Sequence, residues 1–146
     1  MNALTGFALR PLDDRQRSEL VDPAGEPCAR IDGAVLEAVY QLDDAYLIVS
    51  SDGDAFEDCM HLTLCDSAFT PREVIHIGGA YQTGTFRTLD VGPGPRLRFS
   101  FFSGDAWSLE VLSQPRWRLS LPRASVRHEP ALRPRRLWLV REAGAR

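Results

Sequence analysis

YQLDDAYLIVSSDGDAFEDCMHLTLCD, residues Tyr40 to Asp66, holds two apolar strand-like runs, YLIVS and CMHLTL, joined by the acidic loop SDGDAFED. In an extended chain Met60, Leu62 and Leu64 share one face, while Cys59, His61, Thr63 and Cys65 share the other. That period of two is the mark of a half-buried strand. In the run before it, Tyr46, Ile48 and Ser50 point one way and Leu47 and Val49 the other. Asp43-Asp44 separates this run from VLEAVYQL and reads as a hairpin turn. VLEAVYQL also fits two helical turns. Strand is favoured because strands follow at steady spacing and because Val35, Val39 and Tyr40 suit a pleated surface.

The same alternation continues towards the C-terminus. RLRFSFFS places Leu97, Phe99 and Phe101 opposite Arg96, Arg98 and Ser100; AWSLEVLS places Trp107, Leu109 and Val111 opposite Ser108 and Glu110. RWRLSLP sets Trp117, Leu119 and Leu121 against Arg116, Arg118 and Ser120, so Trp117 reads as a core residue, and RLWLV makes a last strand with Trp138 read the same way. Ser103-Gly104-Asp105 and Gln114-Pro115 mark the breaks. GTFRTLDV precedes this series as a further strand. Thr70-Pro71-Arg72-Glu73 has the form of a helix capping box, but the β-branched VIHIGG after it allows one helical turn at most. Residues 1–30 are the least regular: LDDRQRSEL offers a thin helical face through Leu12 and Leu20, and VDPAGEPC reads as loop. The expected fold is all-β, an antiparallel sandwich or partly open barrel of about eight or nine short strands with little helix. Residues 1–146 read as one domain, with an irregular segment over 1–30 and the β core over 35–140.

With 146 residues, 44% hydrophobic and 25% charged, the chain sits in the ordinary globular range. No apolar run approaches the ~20 residues of a membrane-spanning helix, and MNALTGFALRP lacks the form of a signal peptide. Cys59 and Cys65 lie about 20 Å apart along one strand, too far for a disulfide. Sparse free thiols point to a cytoplasmic protein. All 17 basic residues are Arg. The absence of Lys is compositional in origin, and it removes Schiff-base, phosphate-loop and Ser-Lys chemistry.

Charge is unevenly spread. Between Arg30 and Arg72 lie nine acids and no further Arg, whereas residues 115–146 carry nine Arg against Glu129 and Glu142. Either acidic and basic strands screen each other, or the acidic loop stands alone as a negative patch. The loop lacks the D-x-D-x-D-G run and the twelfth-position Glu of a calcium site. Cys59, His61 and Cys65 share a face and His76 lies on the next strand, but their spacing is none of the usual zinc patterns, so no metal is expected. No Gly-x-Ser-x-Gly elbow, identifiable Cys–His–acid set or phosphate loop occurs. No catalytic residue and no cofactor are therefore assigned. The C-terminal Arg with Trp107, Trp117 and Trp138 suggest nucleic acid, but a sequence pI near 5.6 argues against it.

YLIVSSDGDAFEDCMHLTLCD, GTFRTLDV and LRFSFFSGDAWSLEV together resemble small, poorly characterised bacterial proteins of the polymorphic-toxin immunity type, over residues 35–112. The resemblance implies a non-enzymatic domain that neutralises a toxin by binding it. Charge and turn pattern make Asp52, Asp54, Phe56, Glu57 and Asp58 the candidate contacts with a basic protein partner, Phe56 being the apolar anchor. Two other classes compete. One is a small-ligand-binding barrel or cleft enzyme lined by Tyr46, Tyr81, Phe86, Phe101 and Trp107. The other is a homo-oligomer joined through the acidic and Arg-rich segments.

Overall fold

Repeated alternation of apolar and polar side chains produces thirteen strands in the computed structural model, which describes residues 1–12, 16–78, 81, 83–102, 104–118 and 125–143. They are β1 (Asn2–Leu4), β2 (Ala8–Pro11), β3 (Arg17–Val21), β4 (Pro27–Asp32), β5 (Val35–Gln41), β6 (Ala45–Ser51) and β7 (Cys59–Asp66). The rest are β8 (Pro71–Gly78), β9 (Arg87–Val91), β10 (Arg96–Ser100), β11 (Trp107–Arg116), β12 (Val126–Glu129) and β13 (Arg135–Arg141). No helix occurs among the described residues. A six-stranded sheet runs β1-β5-β6-β7-β8-β12, a four-stranded sheet β13-β11-β10-β9, and a three-stranded sheet β2-β3-β4. Every pairing is antiparallel.

The six-stranded sheet is the middle layer. Leu47, Val49, Met60, Leu62, Leu64, Ile75 and Ile77 project from one face and pack with Leu97, Phe99, Trp107, Leu109, Val111, Leu137 and Leu139 of the four-stranded sheet. Val39, Ile48 and Cys65 project from the other face and pack with Leu20 and Ile31 of the three-stranded sheet. This two-sided cover is why YLIVS is apolar at successive positions rather than alternate ones. Neither large sheet closes on itself, so the architecture is a sandwich, not a barrel. Glu73 ties the six-stranded sheet to the four-stranded one: its carboxylate accepts hydrogen bonds from the amides of Arg136 and Leu137 at 3.0 and 3.2 Å.

The all-β expectation holds, with strand assignments confirmed for VLEAVYQL, YLIVS and CMHLTL, while several local expectations change. There are more strands than the eight or nine expected, because residues 1–30, expected to be irregular, form β1 to β3 and the start of β4. In LDDRQRSEL the described part pairs as β3, with Ser18 and Leu20 inward at a period of two. Residues 13–15 lie outside the described residues. The Thr70–Glu73 capping box makes no helical turn: Pro71 opens β8, and Glu73 is held by β13. Gln114-Pro115 does not break β11; a register shift between Val111 and Arg116 absorbs it. Trp117 is exposed rather than buried, and Trp138 lies half-buried on the outer face of β13 beneath the Arg118 guanidinium at 4.7 Å. The expected strand continuing through Leu119 and Leu121 falls outside the described residues.

Leu62 is fully buried in the doubly covered sheet, whereas Leu132 is 87% exposed. Leu62→Ala should therefore cost about 2–5 kcal/mol in urea unfolding, and Leu132→Ala should change stability by less than about 0.5 kcal/mol. Equal, small losses from both would contradict this layering.

Candidate functional site

The loop from Asp52 to Asp58 uses most of its own acids to hold its shape. The Asp52 amide donates to the Cys59 carbonyl at 3.0 Å and closes the base. Gly53 turns the chain at φ 68°, where a side chain would be strained and its Cβ would meet Val35 at 3.0 Å. Asp54 accepts from the amides of Phe56 and Glu57 at 2.8 and 3.1 Å, and these bonds hold its carboxyl below the ordinary value. Asp58 accepts from the amides of Gly53 and Gly84 at 3.2 and 3.3 Å. The Thr83 hydroxyl donates to the Ala55 carbonyl at 2.7 Å, so residues 83–84 clasp the loop from outside it. Phe56 is left 75% exposed beside exposed Glu57.

Two of the four acids assigned as partner contacts are not at the surface. Asp58 is 3% exposed, and the Asp52 side chain is 9% exposed. Buried amides and a buried imidazole need acceptors, and these carboxylates supply them. Of the five sequence-derived candidates, Asp54, Phe56 and Glu57 remain at the surface. The Arg-rich C-terminal segment reaches the acidic run away from this loop, through Arg136 and Asp44 at 2.9 Å. An exposed pair of that kind contributes only ~0–1 kcal/mol.

Beneath the loop, strand register builds a polar row across the sheet: Ser50 pairs with His61, His61 with His76, and His76 with Arg127. Cys59 precedes His61 by two residues on the same face, and Gly78 is its partner on β8. His61 Nε2 lies 2.7 Å from Asp52 Oδ1, and His61 Nδ1 lies 2.7 Å from His76 Nδ1. His76 Nε2 is 3.4 Å from Glu129 Oε2 but makes no hydrogen bond. Both imidazole side chains are 7% exposed. Cys59 Sγ and one nitrogen of each ring all lie within 4.8 Å of one another. Cys65, on the same face of β7, is not in this group; it packs with Leu20, Ile31, Val39 and Ile48.

Burial, and then neighbouring His61, lowers the pKa of His76. Burial first, and then Asp52, pushes the Cys59 thiol up to about 11, so it is no thiolate nucleophile at neutral pH. Sequence spacing showed the shared face of Cys59 and His61. It did not show Asp52 and Glu129 flanking the histidines, because that depends on register and loop closure.

The five aromatics considered as cavity lining are dispersed. Phe101 and Trp107 belong to the sandwich core, Phe86 packs against it, Tyr46 stacks on Phe69 at 3.9 Å, and Tyr81 is 89% exposed. A cleft of about 490 Å³, lined by Met1, Gln41, Asp44, Val111 and Arg136 among others, contains none of them. No protein-family model, curated protein or solved structure matches this chain. Among the described residues no helix is long and apolar enough to cross a membrane.

His128 on β12 is half-buried, and its pKa is pushed down to about 4, first by burial and then by Arg135 and Arg118. The unfolded chain takes up this proton near the ordinary value of 6.5, before the folded chain does. Its contribution to stability is thus complete above that pH and is lost as pH falls towards 4. Urea unfolding at pH 8, 6 and 5 should show decreasing stability, and His128→Gln should flatten the slope. An unchanged slope in that variant would remove His128 from the account.

Proposed function

We propose that this chain is a non-enzymatic protein-binding domain that docks a basic protein through the Asp52–Asp58 loop. The observation that carries the proposal is Phe56, a large aromatic held 75% exposed on a loop whose backbone is already pinned. An exposed aromatic on a mobile loop would lose ordering entropy when bound; here most of that loss is incurred in folding. Asp54 and Glu57 flank it, so the complementary surface is an apolar pocket with a basic rim. Asp52 and Asp58 act indirectly, by holding the loop in place. The resemblance to immunity-type proteins narrows the partner to a toxin, neutralised by occlusion and without bond-making.

Phe56→Ala and Glu57→Lys test this reading, since neither side chain supports the loop's internal hydrogen bonds. The intact chain, used as bait in native lysate, should retain a basic protein. Each substitution should weaken the isolated complex by about tenfold or more with the melting temperature unchanged. Undiminished affinity in both variants would refute the assignment of the loop.

A further inference from the structure

Asp52, His61, His76 and Glu129 form a line of polar groups with too few hydrogens. The Asp52 carboxylate only accepts, so in the 2.7 Å contact the hydrogen sits on His61 Nε2. A neutral His61 then presents a bare Nδ1. The hydrogen between the two Nδ1 atoms, also 2.7 Å apart, must therefore belong to His76. That leaves His76 Nε2 bare, buried and without a hydrogen-bond partner, facing the second carboxylate, Glu129, at 3.4 Å. With both rings neutral, three contacts call for three hydrogens and two are present; one more proton, or a metal ion, completes the set.

A cation at the point where the two Nδ1 atoms converge resolves the shortfall. Both Nδ1 atoms become ligands, and both Nε2–H groups donate outward, one to Asp52 and one to Glu129. Metal-bound histidines are held in this way, with the remote N–H directed to a carboxylate. The third donor is already close by: Cys59 Sγ lies within 4.8 Å of one nitrogen of each ring. Cys59, His61 and His76 occupy three corners of a cross-strand square, and the fourth is Gly78, where an added Cβ would lie 3.5 Å from the thiol. We propose that Cys59, His61 and His76 bind one divalent cation of the zinc class, with Asp52 and Glu129 as its outer partners.

Two imidazoles and a thiolate match zinc's preference and disfavour magnesium and calcium, which take oxygen ligands. Tetrahedral zinc sets its nitrogen and sulfur ligands about 3.3–3.7 Å apart. The rings would separate by roughly half an ångström on that scale while the thiol closes in, which side-chain rotation supplies. One position stays open for water or another ligand. Sequence spacing argued against a metal because it matches none of the usual zinc patterns; here the ligands come together through the β7–β8 register instead. The proposal does not depend on the docking role of the loop.

The full chain, stripped of metal with a chelator, is titrated with Co²⁺ and then Zn²⁺. One equivalent of Co²⁺ should bind, giving visible tetrahedral bands and a near-ultraviolet thiolate charge-transfer band, both displaced by Zn²⁺. Cys59→Ser should abolish the charge-transfer band. His61→Gln, His76→Gln and Asp52→Asn should each weaken binding by about tenfold or more, and Cys28→Ser should bind as the unaltered chain does. Circular dichroism confirms that each variant keeps its strands. X-ray absorption of the unaltered zinc-loaded protein, which needs no variant, should show one sulfur and at least two nitrogen ligands. Failure of the folded chain to take up cobalt would overturn the proposal. So would a charge-transfer band that survives Cys59→Ser, or a zinc spectrum without sulfur.

Discussion

Leu47, Val49, Met60, Leu62 and Leu64 pack into the four-stranded sheet, while Ile48 and Cys65, out of phase with them, pack under the three-stranded one. Strands loaded from both sides leave little room for water along their length. From Leu47 to Ser51, and from Met60 to Cys65, every residue is buried. Apolar side chains gain from this, at roughly 1.5–3 kcal/mol for each fully buried Leu, Ile or Val. Polar side chains on the same strands must find partners within the protein or bear the cost of desolvation.

The candidate site follows from that constraint. Ser50 donates to the Asp32 carbonyl at 2.6 Å, and His61 is held between Asp52 and His76. Asp52 meets His61 only because the loop folds back at Gly53, and Asp58 and Thr83 hold that fold. The loop's rigidity and the histidine array are therefore parts of one arrangement. Acids buried on its inner side fix the backbone that presents Phe56, Asp54 and Glu57 on its outer side. An exposed aromatic flanked by acids and a buried polar cluster thus share seven residues of connecting chain.

Much of this was legible in the sequence wherever one side chain's placement follows from its immediate neighbours. Alternation in RLRFSFF predicted the buried face of β10, and the Asp43-Asp44 break predicted the β5–β6 hairpin. CMHLTLC reads as half-buried, yet β7 is buried on both faces because the three-stranded sheet covers its second side. Features that depend on distant partners were not legible. Trp117 alternates with Arg as a core residue would, yet it lies beyond the end of β11 and stays exposed. The strands before residue 30 are short and interrupted by Pro and Gly, and they become visible only as a layer against Ile48 and Cys65. Asp58 looks like a solvated charge until its carboxylate is seen to accept from the amides of Gly53 and Gly84. The pairing of His61 with His76 depends on the β7–β8 register, which neither strand encodes alone.

Long-range ¹H–¹⁵N correlation of the imidazole rings in the chelator-treated protein tests this account most directly. Double burial of the central sheet predicts His61 locked with its hydrogen on Nε2 and its Nδ1 bare, and His76 with its hydrogen on Nδ1. Two rings showing the mixed tautomers of solvated histidines would contradict it, because the face that carries them would then be open to water.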